Sequence, residues 1–212
     1  MLIVKKFGGT SVRDEEAIGR VISIVRSRLS EKPLVVVSAL ARVTRLLCEM
    51  ADEAGMQNEG RVRELLSQLR ERHFSLASNL LSGSPELLEE CNRDIESLIS
   101  GVEKFVGGVC LIGELSPRSE ARIISTGELL SSTIIAHAFN ANGISCRWID
   151  ARRMVTTDDN YLSARPDLLV TEANVKRIVE QESTGTELIL TQGFVASTQK
   201  GEPAVLGFEG SD

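Results

Sequence analysis

Cysteine and histidine are scarce in this sequence, and their scarcity excludes the usual metal- or disulfide-stabilised small folds. The cysteines are far apart and form no C-x-x-C pair, and the chain has two histidines, His73 and His137. A structural zinc site needs four such ligands at close spacing. We therefore expect reduced cysteines that serve as small core residues. They are Cys48, Cys91, Cys110 and Cys146.

Long apolar runs and an excess of positive charge are also missing. The longest uncharged apolar stretches, such as residues 105–112, are much shorter than the roughly 20 residues that span a membrane. No apolar signal segment follows Met1. The net charge of −6 disfavours a broad electrostatic grip on nucleic acid. With 42% apolar and 25% charged residues, we expect a cytoplasmic globular protein that binds neither membranes nor nucleic acid.

Alternating patterns along the chain predict an α/β fold. Residues 2–7 and 34–38 are predicted as buried strands, and residues 14–29 between them have a helical period. Such a βαβ unit favours a parallel sheet that is covered on both faces. The later predictions are helices at about 128–140 and 166–181, strands at 144–149 and 187–195, a loop at 156–160, and a glycine-rich tail at 201–212 without a closing element.

Residues 58–107 interrupt this pattern with two apolar stripes at helical spacing. Ser84-Pro85 is typical of a helix start, with serine as the N-cap and proline in the first turn. The region is predicted to be a helical hairpin inserted into the α/β pattern. His73 lies on the first stripe, and we expect it to be a packed core histidine rather than a ligand or base.

A glycine pair at the end of the first strand is the first candidate site. In Lys6-Phe7-Gly8-Gly9-Thr10-Ser11, the glycines would let backbone N–H groups approach a phosphate, and the start of the next helix would add a favourable dipole. Lys6 would supply a point charge for a phosphoryl group. The alternative is a tight turn, with Ser11 as an N-cap and Lys6 exposed. Other nucleotide and hydrolase signatures, such as G-x-x-x-x-G-K-[ST], G-x-G-x-x-G and G-x-S-x-G, are absent.

Three further segments are weaker candidates when each is taken alone. Ser125 and Glu128 fit a capping box, although a glutamate there could also receive an ammonium group. Ser38 and Thr44 follow the second strand and could bind a carboxylate, or could simply form a turn and a helix cap. The tail, residues 207–212, offers flexible glycines and an acid that could orient a lysine.

Together these segments resemble the aspartokinase family of the amino acid kinase superfamily. The resemblance rests on residues 6–12 (KFGGTSV), 35–47 (VVVSALARVTRLL), 125–131 (STGELLS) and 190–194 (LTQGF). Residues 207–212 are a looser match to the family's L-G-R-G-G-S-D. The implied fold is a three-layer αβα sandwich with a mainly parallel sheet, like that of carbamate kinase, carrying the helical hairpin as an insertion.

The resemblance implies ATP-dependent phosphorylation of the side-chain carboxylate of L-aspartate, the first step toward lysine, threonine and methionine. Lys6 and Asp212 are the implied catalytic residues, with Asp212 holding Lys6 in place. The residues implied for ATP are Lys6, Phe7, Gly8, Gly9, Thr10 and Ser11, and those for aspartate are Ser38, Thr44 and Glu128, with Glu128 on the ammonium group. Mg²⁺ is expected to bind through the ATP phosphates without protein ligands, and the full-length protein is expected to be a homo-oligomer.

Two departures from the family pattern bear on the substrate. Phe208 and Glu209 stand where the family has arginine and glycine, and the arginine pairs with a substrate carboxylate. Arg42 stands at a position that is usually glycine, and it is a candidate to supply the missing charge. The alternatives are therefore a diverged kinase of another carboxylate and a non-catalytic binding module.

The family's catalytic domain continues past the G-S-D motif with adenine-binding loops and a second lysine, and ACT regulatory domains usually follow. Residues 1–212 are therefore predicted to be an incomplete amino acid kinase domain, its aspartate-binding N-terminal part, with an insertion at about 58–107. We expect this part to be inactive alone.

Overall fold

A computed structural model of the chain describes residues 3–207. The helices are α1 (Glu15–Arg26), α2 (Val43–Gly55), α3 (Glu59–Leu80), α4 (Pro85–Ile112), α5 (Pro117–Ile124), α6 (Thr126–Ala141) and α7 (Leu168–Glu182). The strands are β1 (Val4–Phe7), β2 (Leu34–Val37), β3 (Cys146–Trp148), β4 (Thr156–Thr157), β5 (Leu188–Gln192), β6 (Val195–Thr198) and β7 (Pro203–Val205). None of the helices in this range is long and apolar enough to cross a membrane.

The main sheet is parallel throughout, with the strand order β1-β2-β5-β3. Its central strands are apolar because helices cover both faces. On one face, Val35, Val37 and Leu190 join the large core that contains the buried side of α1 and much of α6. On the other face, Leu34 and Ile189 pack in a second cluster that includes Ile178 of α7. The predicted αβα architecture with a mainly parallel sheet is confirmed.

The helical hairpin is present as α3 and α4, and it encloses α6 from the side opposite the sheet. Nearly every residue of α6 is buried, as expected for a helix that is packed on all sides. His73 of α3 is fully buried, and its Nδ1 lies 2.7 Å from the Leu69 carbonyl oxygen. Burial lowers the pKa of His73 to about 4, so it is a neutral core residue as predicted.

A second sheet of three strands in the order β4-β6-β7 follows the main one. The single strand predicted over residues 187–195 is divided at Gly193 and Phe194, where Phe194 has a left-handed φ of 65°. The predicted loop at 156–160 and open tail at 201–212 were also wrong in part, because β4 and β7 pair with β6. Strands of two or three residues are too short to show a period in the sequence.

Two helices, α2 and α5, have no counterpart among the predicted elements. In α2 the buried residues recur at helical spacing. The sequence therefore indicated a helix there, but residues 35–47 were interpreted only as a family motif. Two of the predicted core cysteines, Cys91 and Cys110, are buried, whereas Cys48 and Cys146 are half-buried. All four are free thiols.

Candidate functional site

The carboxyl ends of three neighbouring strands meet at one edge of the main sheet. Lys6 of β1 is in register with Val36 of β2, which is in register with Thr191 of β5. Each strand therefore delivers the loop that follows it to the same edge. In open parallel sheets this is the edge where ligands bind.

Lys6 is exposed at this edge, one residue before the end of β1. Because side chains alternate along a strand, Lys5 lies on the opposite face, where its ammonium group pairs with Glu31 at 3.2 Å. The two adjacent lysines therefore differ in surroundings, and Lys6 is the one presented beside the loop after β1.

The glycine pair shapes that loop. The Ser11 N–H donates to the Gly8 carbonyl at 2.8 Å and closes a turn. A Cβ on Gly9 would lie 3.2 Å from the Ala39 carbonyl oxygen, so glycine allows this loop to approach the loop after β2. A Cβ on Gly8 would have no neighbour within 4 Å, which leaves the backbone there open to a ligand.

The sequence predicted that the start of α1 would add a favourable helix dipole to phosphate binding at this loop, and the structure does not support that prediction. Ser11 is not the N-cap, because Asp14 Oδ1 accepts a hydrogen bond from the Ala17 N–H at 2.9 Å. Glu15 and Glu16 occupy the first turn, and acidic groups there already offset the helix dipole. Anion binding at the glycine turn therefore depends on Lys6 and on backbone N–H groups.

The loop after β2 carries the predicted hydroxyl groups. The Ser38 N–H donates to the Phe7 carbonyl at 3.2 Å, and the Ser38 carbonyl accepts from Ser131 Oγ at 2.8 Å. Thr44 lies in the first turn of α2. Neither the Ser38 nor the Thr44 hydroxyl is hydrogen-bonded to another group of residues 3–207, so both remain available to a ligand.

The capping box that the sequence offered as the alternative role of Ser125 and Glu128 is absent. Ser125 is helical, with a φ of −63°, and its Oγ donates to the Arg122 carbonyl at 2.9 Å. It connects α5 directly to α6, so no extended N-cap residue exists there. The physical reason is that α5 ends where α6 begins, and the polar groups of Ser125 are used within α5.

Glu128 is instead buried in the first turn of α6, with 2% of its surface exposed. Its Oε2 has no hydrogen-bond partner in the described part of the chain. Burial raises the pKa of Glu128 to about 8, although the backbone N–H groups of Glu128 and Ala39 act to lower it. A buried carboxyl oxygen that makes no hydrogen bond is costly, and a cationic group would satisfy the Oε2 of Glu128.

Gly127 allows α6 to sit against the loop after β2. A Cβ on Gly127 would lie 3.1 Å from both Val43 Cγ1 and Leu47 Cδ1 and 3.3 Å from Ala39 Cβ. These three neighbours are themselves buried, so they cannot move aside easily. The contact brings Glu128 beside the segment that contains Ser38 and Thr44.

Gly127→Ala is therefore expected to lower the free energy of unfolding by about 1–3 kcal/mol through overpacking. Gly19→Ala is the matched control, because Gly19 is an exposed helical glycine with nothing within 4 Å of an added Cβ. That change should raise stability by roughly 0.5–1 kcal/mol. Urea unfolding of both variants measures the difference, and equal stability would contradict the close packing at Gly127.

A polar network at the end of β5, missed in the sequence, fixes α6 to the sheet. Gln192 Nε2 donates to Ser132 Oγ at 2.9 Å, and Gln192 Oε1 accepts from the Ala151 N–H at 2.8 Å. Trp148 Nε1 also donates to Ser132 Oγ, at 2.8 Å. Thr191, the neighbouring residue, has a buried hydroxyl without a partner within residues 3–207. The network holds the helix that carries Glu128.

Comparison with known proteins assigns the chain to a family. The model of the amino acid kinase family matches residues 1–212, the whole chain. The chain belongs to the amino acid kinase family.

Its relatives include aspartokinases, as the motifs indicated. The chain is 35% identical to the aspartokinase of Chlamydia muridarum over 99% of this chain and 43% of that protein. A crystal structure of Escherichia coli aspartokinase III with aspartate and ADP (R-state) matches with a TM-score of 0.86 and 31% identity, over 100% of this chain and 44% of that chain. The same enzyme with lysine and aspartate (T-state) matches with a TM-score of 0.88 and 29% identity, over 99% and 44%. The chain thus spans less than half the length of these relatives.

The structure brings most of the predicted site residues of this amino acid kinase domain together. Lys6, the glycine turn, Ser38, Thr44 and Glu128 gather around adjoining loops. Phe7, also predicted, has its side chain against the core, so only its backbone faces the turn. Asp212, Phe208 and Glu209 lie outside the described residues.

The structure also bears on whether protein side chains could hold a metal ion. Among residues 3–207 no group of three or more His, Cys, Asp or Glu side chains could hold a metal ion.

Proposed function

We propose that the protein transfers the γ-phosphoryl group of ATP to the side-chain carboxylate of L-aspartate. The observation that carries the proposal is the buried carboxyl of Glu128, whose Oε2 has no hydrogen-bond partner within residues 3–207 and which lies beside the loop after β2. An amino acid substrate brings an ammonium group of the required charge. The similarity to aspartokinases, one of them solved with aspartate and ADP, supports the same assignment.

The loop after β1 is proposed to hold the ATP phosphates. Its fit rests on the open backbone at Gly8, the turn closed by Ser11, and the position of Lys6 one residue before the end of β1. Backbone N–H groups of Gly8, Gly9 and Thr10 would bind phosphate oxygens, Ser11 would offer its hydroxyl because its N–H closes the turn, and Lys6 would neutralise charge on the transferring group. Mg²⁺ would be bound through the phosphate oxygens.

The loop after β2 and the start of α6 are proposed to hold aspartate. Ser38 and Thr44 would donate hydroxyl hydrogen bonds to a carboxylate, and Glu128 would bind the ammonium group. An aspartate side-chain oxygen then forms the new bond to phosphorus while the bond to ADP breaks, giving 4-phospho-L-aspartate and ADP. Because the attacking carboxylate is already ionised, no general base is required, and positioning and charge neutralisation provide the rate enhancement.

The proposal extends to the organisation of the whole protein. Residues 1–212 would be the aspartate-binding part of a larger kinase domain, with α3 and α4 as a helical insertion and Asp212 as the partner that orients Lys6. The remaining ATP-binding segments, and the contacts of a homo-oligomer in the cytoplasm, would be supplied by the rest of the protein.

An acyl-phosphate assay tests the proposed reaction. The intact gene product is incubated with MgATP and L-aspartate, and ADP is measured together with the hydroxamate that hydroxylamine forms from an acyl phosphate. We expect equal amounts of both products, dependent on aspartate. ADP formed only with other carboxylic acids would instead support a diverged kinase, and aspartate binding without any turnover would support a binding module.

Aspartate binding is also expected to release a proton near pH 7. The raised pKa of Glu128, about 8, keeps its carboxyl protonated in the free protein, and an ammonium partner would favour the ionised form. Calorimetry in buffers of different ionisation enthalpy should show release approaching one proton per aspartate. Glu128→Gln should abolish the release, and a heat independent of buffer in the unaltered protein would contradict the role of Glu128.

A further inference from the structure

Ser131 ends the motif of residues 125–131 at the start of α6, and the sequence predicted no role for it. Its side chain is fully buried, and its Oγ donates to the Ser38 carbonyl at 2.8 Å. The Glu128 carbonyl, one turn earlier on α6, is a second acceptor at 3.1 Å. A serine hydroxyl has one proton to donate, and the shorter bond joins residues that are 93 positions apart in the sequence. Ser131 therefore ties α6 to the loop after β2.

The acceptor lies at the point where β2 becomes a loop of the ligand-binding edge. β2 ends at Val37, so the Ser38 carbonyl lies beyond the paired residues of the strand. Ser131 supplies the hydrogen bond that this carbonyl does not receive from the sheet. The same peptide group carries the Ala39 N–H. Because a peptide group is planar, a bond that fixes the direction of its carbonyl also fixes the direction of its N–H.

The N–H of this peptide group is directed at Glu128. Burial raises the pKa of Glu128, and a hydrogen bond from the Ala39 N–H acts in the opposite direction. The packing agrees with this contact, because a Cβ on Gly127 would lie 3.3 Å from the Ala39 Cβ. Glu128 and Ser131 are three residues apart on α6 and so lie on the same side of the helix. They hold one peptide group between them, Ser131 by its carbonyl and Glu128 by its N–H.

The next peptide group borders the glycine turn after β1. A Cβ on Gly9 would lie 3.2 Å from the Ala39 carbonyl oxygen, so the two loops are in close contact at this point. A displacement of the Ser38–Ala39 segment would therefore change the surroundings of Glu128 and also the spacing between the two loops. Group transfer between two bound substrates is sensitive to such displacements, because a misplacement of about 1 Å can lower a rate by roughly 10²-fold.

We propose that Ser131 is a positioning residue for phosphoryl transfer. By holding the Ser38 carbonyl, it keeps the Ala39 N–H directed at Glu128 and keeps the loop after β2 against the glycine turn. Ser131 is fully buried and acts through this peptide group rather than by touching a substrate. The inference rests on the proposed function for the reaction and its substrates. The link from Ser131 to the Glu128 carboxyl does not depend on that reaction and can be measured in the ligand-free protein.

Three substitutions of buried serines separate this role from a general loss of stability. Ser131→Ala removes the donor, and Ser131→Cys keeps a side chain of similar shape with only a weak donor. Ser125→Ala is the control, because Ser125 is also buried and its Oγ donates to the Arg122 carbonyl three residues earlier. The pKa of the Glu128 carboxyl is measured by ¹³C NMR titration of the ligand-free protein. Calorimetry gives the dissociation constants for L-aspartate and ADP, and steady-state kinetics of the intact gene product give kcat.

Ser131→Ala should raise the pKa of Glu128 by about one unit, the size expected when a carboxylate loses a hydrogen bond. Because aspartate binding requires the ionised carboxyl, its dissociation constant at pH 7 should rise about tenfold, with that for ADP unchanged. This defect should shrink as the pH rises and ionises Glu128 in both proteins. The value of kcat should fall about tenfold or more. Ser131→Cys should act in the same direction, and it carries the comparison if Ser131→Ala does not fold.

Three results would overturn the inference. They are a Glu128 pKa that the Ser131 variants leave unchanged, changes of equal size in Ser125→Ala, and a normal kcat in the folded Ser131 variants. A protein that binds no aspartate would refute the proposed function. If the pKa of Glu128 still rose in that protein, the link between Ser131 and Glu128 would stand.

Discussion

Lys6→Ala in the intact gene product is expected to lower kcat by about 10²–10³-fold. Lys6 lies at the carboxyl end of β1, beside the open turn at Gly8. Its proposed role is to neutralise charge that develops on the phosphoryl group during transfer, so its loss should raise the barrier more than it weakens binding. Steady-state kinetics with aspartate and MgATP measure the change.

Lys5→Ala is the matched control for this prediction. It removes the same charge from the adjacent residue, but Lys5 lies on the other face of β1 and pairs with Glu31. The pair is half-buried at the surface, where a single ion pair contributes little to stability, so this variant should fold and keep nearly full kcat. Circular dichroism verifies that Lys6→Ala is folded, and a folded Lys6→Ala enzyme with normal kcat would remove Lys6 from the mechanism.

Glu128→Gln is expected to stabilise the ligand-free protein increasingly as the pH rises. The pKa of Glu128 is about 8 in the folded protein and has a reference value of 4.5, so between these values the folded state keeps a proton that the unfolded state has lost. Stability contributed by the neutral carboxyl is therefore complete below about pH 4.5 and is lost as the pH rises through 8. Glutamine cannot ionise, and the advantage of the variant should reach a few kcal/mol, on the order set by such a shift.

Urea unfolding from pH 5 to pH 9 measures this advantage directly. Glu89→Gln is the control, because Glu89 is exposed on α4 and pairs with Arg93 one turn away. It should show no such pH trend. The same Glu128→Gln variant should bind aspartate at least tenfold more weakly, by the usual contribution of a charged hydrogen bond. A constant difference in stability at every pH would contradict a buried, neutral Glu128.

Local patterns in the sequence predicted much of the fold. The β1-α1-β2 unit and the α3–α4 hairpin follow from apolar periods that need no knowledge of distant contacts. His73 lies on a buried apolar stripe, so its position in the core could also be predicted from the sequence. The glycine turn after β1 could be placed at a ligand-binding edge because a parallel sheet presents its carboxyl ends there.

Features that depend on distant contacts could not be predicted in this way. Ser125 and Glu128 have the spacing of a capping box, and only the joining of α5 to α6 shows that they do not form one. The bonds from Gln192 and from Trp148 to Ser132 join residues on different elements. No local period specifies such pairs, because they arise when separate elements pack together.

Calorimetric titration of L-aspartate into this chain, with succinate as the comparison, tests the central claim most directly. Succinate keeps both carboxylates and lacks only the ammonium group that Glu128 is proposed to bind. The account predicts that aspartate binds at least about tenfold more tightly than succinate, and that Glu128→Gln removes the preference. Equal affinity for the two acids, or a preference that Glu128→Gln leaves intact, would contradict it.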